Sequence, residues 1–126
     1  MRILVHDYSG HPSQVQLSRA LAARGHEVRH VYARFFQTPK GPLAPAESDP
    51  SNFDIAGLDL GEEFAKYAFV KRVRQEIAYG KTMAREVERM RPDVAISSNM
   101  PLDPQAILAR ACREAHCGFV FWLQDI

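Results

Sequence analysis

Long apolar runs are missing from this chain. Nothing in it approaches the roughly 20 consecutive apolar residues that a helical membrane span needs. Cysteine is scarce: Cys112 and Cys117 are the only two in 126 residues. Their C-x4-C spacing has no second pair, which excludes a disulfide framework and a zinc knuckle and leaves two small buried thiols in a reducing compartment. An excess of charge is also absent. Sixteen Lys and Arg stand against fifteen Asp and Glu, so a polycation that coats nucleic acid is excluded and no nucleic-acid partner is expected. G-x-G-x-x-G is absent too: His6 to Pro12 carries only Gly10, which speaks against a dinucleotide-binding Rossmann domain. The histidines, His6, His11, His26, His30 and His116, do not fall into a metal-ligand spacing, and neither metal nor cofactor is expected. Met1 to Asp7 is too short and too soon polar for a signal peptide. The expectation is a cytoplasmic protein whose membrane contact, if any, is peripheral and at the inner face.

What is present is ordinary globular material. Hydrophobic residues make up 46% and charged residues 25%, in a length that suits one domain. Ile3, Leu4 and Val5 mark a buried strand over residues 2–6. The polar loop Asp7-Tyr8-Ser9-Gly10-His11-Pro12 follows, then a helix with Ser13 as N-cap and Gly25 in the left-handed position past its end. Glu27 to Ala33 reads as a second strand, completing a strand–helix–strand unit that demands a right-handed crossover and a parallel pair. Pro39, Pro42, Pro45 and Pro50 forbid a regular helix between residues 34 and 52. Phe53 to Leu58 is a short third strand, and Gly61-Glu62-Glu63 a turn. A long helix spans Phe64 to Arg91, with Phe69, Val73, Ile77, Gly80, Ala84 and Val87 on its core face and a break expected near Gly80. Pro92 stops it. Val94 to Ser97, Leu102 to Ala115 and Gly118 to Leu123 complete the chain as strand, helix and strand. The last strand is apolar throughout and reads as covered on both faces. The sum is an α/β fold: a Rossmann-like, doubly wound parallel sheet of about five strands in the order 3-2-1-4-5, with helices on both faces.

Ligands of open parallel sheets bind beyond the carboxyl ends of the strands. That rule alone names the candidate site. Strand one delivers His6, Asp7, Tyr8, Ser9, Gly10 and His11; strand four delivers Ser97, Ser98, Asn99 and Met100; strand five delivers Gln124 and Asp125. Gly10 permits close backbone approach, and a helix start behind it suits a phosphate or a sugar hydroxyl. The competing reading is an ordinary βα turn. Asp125, at a strand end beside a cleft, suits a general base toward a hydroxyl, but spacing alone favours the N-cap of a following helix.

The long helix adds a basic patch. Residues 64–85 hold Lys66, Lys71, Arg72, Arg74, Lys81 and Arg85 against the single acid Glu76, interleaved with Phe64, Tyr67, Phe69 and Tyr79. That pattern suits a helix meeting anionic headgroups, with Lys66, Lys71, Arg72 and Arg74 at its centre. A solvated charged face whose aromatics enter the core explains it as well, and Phe69 on the core stripe favours that explanation.

The opening Met1-Arg-Ile-Leu-Val, the Gly-containing loop, Leu21-Ala-Ala-Arg-Gly-His-Glu-Val28, Arg91-Pro-Asp-Val94 and Phe121-Trp-Leu-Gln-Asp-Ile126 together resemble the N-terminal domain of family 4 glycosyltransferases, which have the GT-B fold. The resemblance covers essentially the whole chain; its most specific string also occurs in GT-B epimerases. It implies retaining transfer of a sugar from a nucleotide-sugar donor to a glycan or lipid-linked acceptor, as in cell-envelope polysaccharide synthesis. The nucleotide sugar is a substrate, and the partner is the enzyme's own C-terminal donor-binding domain. It further implies that this chain is the acceptor-binding half of a longer enzyme and is inactive alone. Gly10 and His11 fall where many members have two adjacent glycines near the donor phosphates, and only the first is glycine here. Asp125 falls where many members carry a catalytic histidine or aspartate.

Two rivals remain at this level. A GT-B nucleotide-sugar epimerase half shares the fold. A phosphoreceiver-like signalling domain suits the length, with Asp7 after strand one and Asp59 after strand three, but it needs an acid pair at strand one and a lysine after strand five. Its strand order is 2-1-3-4-5, so topology separates it.

Overall fold

A computed structural model describes residues 1–34, 44–59 and 67–124. The order is β1 (Arg2–Asp7), α1 (Pro12–Ala23), β2 (Glu27–Ala33), β3 (Phe53–Leu58), α2 (Phe69–Met90), β4 (Val94–Ser98), α3 (Leu102–Glu114) and β5 (Gly118–Phe121). The turn at 61–63, the helical start at 64–66, Pro39, Gly41 and Pro42, and Asp125 lie outside the described residues. Every strand pair is parallel, and the sheet order is β3-β2-β1-β4-β5. The sheet is therefore the expected doubly wound one, and the order a receiver domain requires is not formed.

β1 lies at the centre, and alternation along it feeds two cores. Ile3 and Val5 point to one face, where they pack with Val28 and with Leu21 and Ala22 of α1. Leu4 points to the other, where Tyr79, Met83 and Val87 of α2 and Leu108 and Cys112 of α3 close over Val31 and Ala95. Period-two alternation is what assigns consecutive apolar residues to opposite layers.

Four local expectations are corrected. α1 begins at Pro12, with His11 in the N-cap position and no side-chain cap; Ser13 lies inside the helix, because proline suits the first helical position and moves the start upstream. α2 runs through Gly80 without a break. Gly80 is instead where α3 presses close: a Cβ there would stand 2.8 Å from Pro104 Cα. Phe69 is 68% exposed. It shares its angular position with Gly80 and Val87, but α2 overruns the described layer, so the stripe continues past the described residues that cover its lower part. Lastly, β5 is not covered on both faces: Val120 and Phe121 are about half exposed. The stripe facing the core includes polar Gln75 and Glu86. Glu86 is held by Arg29 at 2.8 Å, and this ion pair lets a carboxylate replace an apolar side chain on a buried face.

Candidate functional site

The exits of β1, β4 and β5 converge at one edge of the sheet. β1 ends on Asp7, whose side chain is fully buried. Its carboxylate accepts hydrogen bonds from the backbone N–H of Ser9 (3.1 Å) and of His11. Burial raises its pKa, while these N–H donors, that of Gly10 and the Asn99 amide pull against the rise. The carboxylate thus fills the place at the start of α1 where an anion would otherwise sit. Gly10, at φ +76°, and Asn99, at φ +64°, occupy left-handed conformations that turn their loops tightly.

Gln14, in the first turn of α1, joins the three exits. With its amide nitrogen facing the carboxylate it donates to Asp7 Oδ1 (2.8 Å) and Ser98 Oγ (2.7 Å), and its oxygen accepts from Gln124 Nε2 (3.0 Å). Asn99 Nδ2 in turn donates to Gln124 Oε1 at 3.3 Å. One buried amide therefore ties the β1 loop, the end of β4 and the segment after β5.

Beneath the other face of this edge lies a second polar chain. His6 Nδ1 is 2.9 Å from Ser97 Oγ and His6 Nε2 is 2.8 Å from the Tyr79 hydroxyl. Ser97 donates to Gln105 Oε1 at 3.3 Å. The directions close for one neutral tautomer: Tyr79 donates to Nε2, and Nδ1–H donates to Ser97. Burial, with a smaller push from His30, lowers the His6 pKa to about 3. All four side chains are buried, so the chain is a brace tying α2 and α3 to the sheet and is out of a ligand's reach.

Above both chains opens a groove of about 290 Å³, lined by Ser9, Asn99 and Gln124 and by Met100, Phe121, Trp122 and Leu123. The backbone N–H of Trp122 donates to the backbone carbonyl of Ser97 at 2.8 Å, fixing this segment beside β4. Of the residues expected at the site, Ser9, Asn99, Met100 and Gln124 reach the groove, whereas His6, Ser97 and Ser98 are buried. Asp7, Tyr8 and Gly10 are buried below it, and His11 is exposed at the start of α1. Asp125 and Lys66 lie outside the described residues. Of the apolar wall only Met100 was expected; Phe121, Trp122 and Leu123 were missed because they read as strand interior. The strand ends at Phe121, which turns the next three residues into a rim. Gln14 was missed because nothing in its spacing separates it from a surface glutamine.

A larger hollow of about 490 Å³ lies at the opposite end of the strands, among Arg2, Glu27, Arg29, Phe53, Asp54 and Arg89. Its cations are already matched: Arg2 to Glu27 (3.3 Å), and Arg29 to Asp54 and Glu86. Arg89 also reaches Glu86. Size alone does not make it the site, because parallel sheets present loop residues and helix starts at the other end. Among the described residues no three His, Cys, Asp or Glu gather as metal ligands, and no helix is long and apolar enough to cross a membrane.

The fold and its rim define a Rossmann-like α/β domain with a groove at the carboxyl edge of the sheet. No protein-family model matches the chain, and no curated protein matches it in sequence. Solved structures do. The C-terminal domain of PF1911 hydrogenase from Pyrococcus furiosus superposes with a TM-score of 0.66 at 12% identity, over 95% of this chain and 89% of that one. Os79 from O. sativa, solved with UDP and deoxynivalenol-3-glucoside, gives 0.63 at 21% identity, over 98% of this chain and 29% of Os79. UDP-GlcNAc 2-epimerase from Methanocaldococcus jannaschii gives 0.52 at 10% identity, over 96% of this chain and 31% of the epimerase. At these identities the likeness is one of fold, and the chain spans less than a third of Os79 and of the epimerase.

Proposed function

We propose that the chain is the N-terminal, acceptor-binding domain of a retaining GT-B glycosyltransferase of the family 4 type. In this reading it moves a sugar from a nucleotide-sugar donor to a glycan or lipid-linked acceptor, and a C-terminal domain supplies most of the donor site. The observation that carries the reading is the convergence of Ser9, Asn99 and Gln124 with Trp122 around one groove. Amide and hydroxyl groups opposite an aromatic wall suit a sugar, whose hydroxyls take hydrogen bonds while its C–H face packs on a ring. The fold shared with Os79, a protein solved with UDP, supports the choice of class. So does the sequence resemblance around Leu21 to Val28.

Roles follow from position. Ser9, Asn99 and Gln124 contact the acceptor or the donor sugar, and the exposed His11 contributes its ring at the rim, since its backbone N–H is already taken by Asp7. Asp7, Tyr8 and Gly10 shape the loop from beneath; Asp125 is assigned the general-base role from the sequence resemblance and not from position. The epimerase half is the second reading, supported by the likeness to the archaeal epimerase.

The test uses Trp122, the only tryptophan in the chain, as a reporter within the groove. Its emission should change saturably on titration with a panel of nucleotide sugars and candidate acceptor glycans. Emission unmoved by every member at millimolar concentration would overturn the reading. A response to a nucleotide sugar with no response to any acceptor would favour the epimerase.

A further inference from the structure

The first turns of α2 extend past the other described elements. Pro104, the third residue of α3, packs against Gly80, the twelfth residue of α2. At 1.5 Å rise per residue, α2 therefore reaches roughly 13 Å beyond the start of α3. Both helices begin at the carboxyl edge of the sheet, so this tip projects on the side of the groove. The tip carries Tyr67, Phe69 and Val70, at 92%, 68% and 80% exposure, and Leu102 at the start of α3 is 86% exposed. These are the four most exposed large apolar side chains among the described residues. Isolated exposed hydrophobics are ordinary, whereas a cluster at one end marks a contact surface.

Charge says what kind of surface. Lys71 and Arg74 are exposed beside these residues, and Arg72 lies over the Phe69 ring at 5.7 Å while facing Glu76 at 3.8 Å. The first turn of α2 holds no acid, and its N-cap, Ala68, offers no side-chain acceptor. Basic residues at this end add to the positive pole of the helix, which works against the helix in isolation. The arrangement gains from an anionic surface that also accepts apolar side chains. We propose that the α2 tip, with Leu102, docks this domain on an anionic phospholipid bilayer, bringing the mouth of the groove to the membrane plane. Apolar side chains and adjacent cations together give a bilayer contact that neither gives alone. The proposal stands on exposure and charge, and it holds or fails whatever sugar chemistry the groove performs.

Co-sedimentation with vesicles tests it. The chain should pellet with phosphatidylcholine vesicles containing about a third phosphatidylglycerol, stay in solution with pure phosphatidylcholine, and be partly released by half-molar salt. The Lys71→Glu/Arg74→Glu and Phe69→Ser/Val70→Ser pairs should each weaken binding at least tenfold with an unchanged circular dichroism spectrum, since all four side chains are exposed. The Lys81→Glu/Arg85→Glu pair, lower on the same helix, should bind within about twofold of the unaltered chain. Absence of binding overturns the proposal, and so does equal loss in the Lys81/Arg85 pair, which would make the attraction diffuse. Self-association that the Phe69/Val70 pair abolishes, without vesicle binding, overturns it in favour of a second copy of the chain.

Discussion

At the level of single residues, histidine makes the sharpest statement. His6 and His30 are buried among partners that suit a neutral ring: Ser97 and Tyr79 for His6, and Ser18 at 2.7 Å for His30. Burial lowers both, with a smaller contribution from His30 for His6 and from Arg19 for His30, to about 3 and about 4. The unfolded chain takes up these protons near pH 6.5 and the folded chain does not. The stabilisation is thus complete above pH 6.5 and is lost as pH falls toward 4. Each histidine contributes a slope of about 1.4 kcal/mol per pH unit across that window. Asp7 runs the other way: burial raises its pKa, so the folded chain binds that proton first and trims the slope at the acid end. Urea midpoints should hold between pH 7.5 and 6.5 and fall between pH 6.5 and 4.5, and His30→Gln should flatten the fall. A pH-independent midpoint would mean that neither ring is held neutral. Asp125 belongs to the same scale. In the proposed two-domain glycosyltransferase, Asp125→Ala should lower kcat sharply at unchanged thermal stability, and an unchanged kcat would return it to a capping role. None of the buried network was legible beforehand. A sequence shows that residue 6 is histidine, but its partners Tyr79 and Ser97 stand 73 and 91 positions away, and only the fold brings them together.

Elements were more legible than residues, and where the reading failed the failures share a cause. Strand and helix positions follow periodicity, so β2 over Glu27–Ala33 and β3 over Phe53–Leu58 stand where alternation and flanking turns put them. Periodicity also gave Phe69 the correct side of α2. It could not reveal that the layer beneath ends before the helix does, because the lengths of neighbouring elements are not written in the pattern of one. β5 repeats the point: an apolar run implies a cover but does not supply one. Gly80 shows the converse. In isolation a mid-helix glycine looks like a weak point, and Gly→Ala there should gain about 1 kcal/mol of helix propensity. Packing reverses the sign, since the new Cβ would meet Pro104 Cα at 2.8 Å and Ile107 Cδ1 at 3.1 Å. Backbone cannot swing aside as a flexible side chain can. Gly80→Ala should therefore destabilise the domain by roughly 1–3 kcal/mol, the usual range for overpacking, read as a lower urea midpoint. A stabilised variant would show that α2 and α3 have room to separate.

For the whole molecule, strand order decides more than any motif. With β1 central and β4 and β5 beside it, three loop exits must share one edge, and the groove follows from connectivity before any side chain is considered. The expectation that these exits share one edge was accordingly sound, although Phe121, Trp122 and Leu123 in the groove's lining went unforeseen. Size then limits what the groove can do. Small-ligand sites that enclose their ligand run from roughly 300 to 1,000 Å³, and this groove holds about 290 Å³, enough for one sugar-sized group. Transfer between two substrates requires both to be held in line within about 3.5 Å, because most of the rate gain comes from fixing them together. A nucleotide sugar and its acceptor do not fit side by side in this volume. The 126-residue chain should therefore bind a sugar ligand, reported by Trp122, and yet transfer none when supplied with labelled nucleotide sugar and acceptor. Product above the enzyme-free background would mean that the groove widens far enough to seat both substrates, and the division of labour between two domains would have to be abandoned.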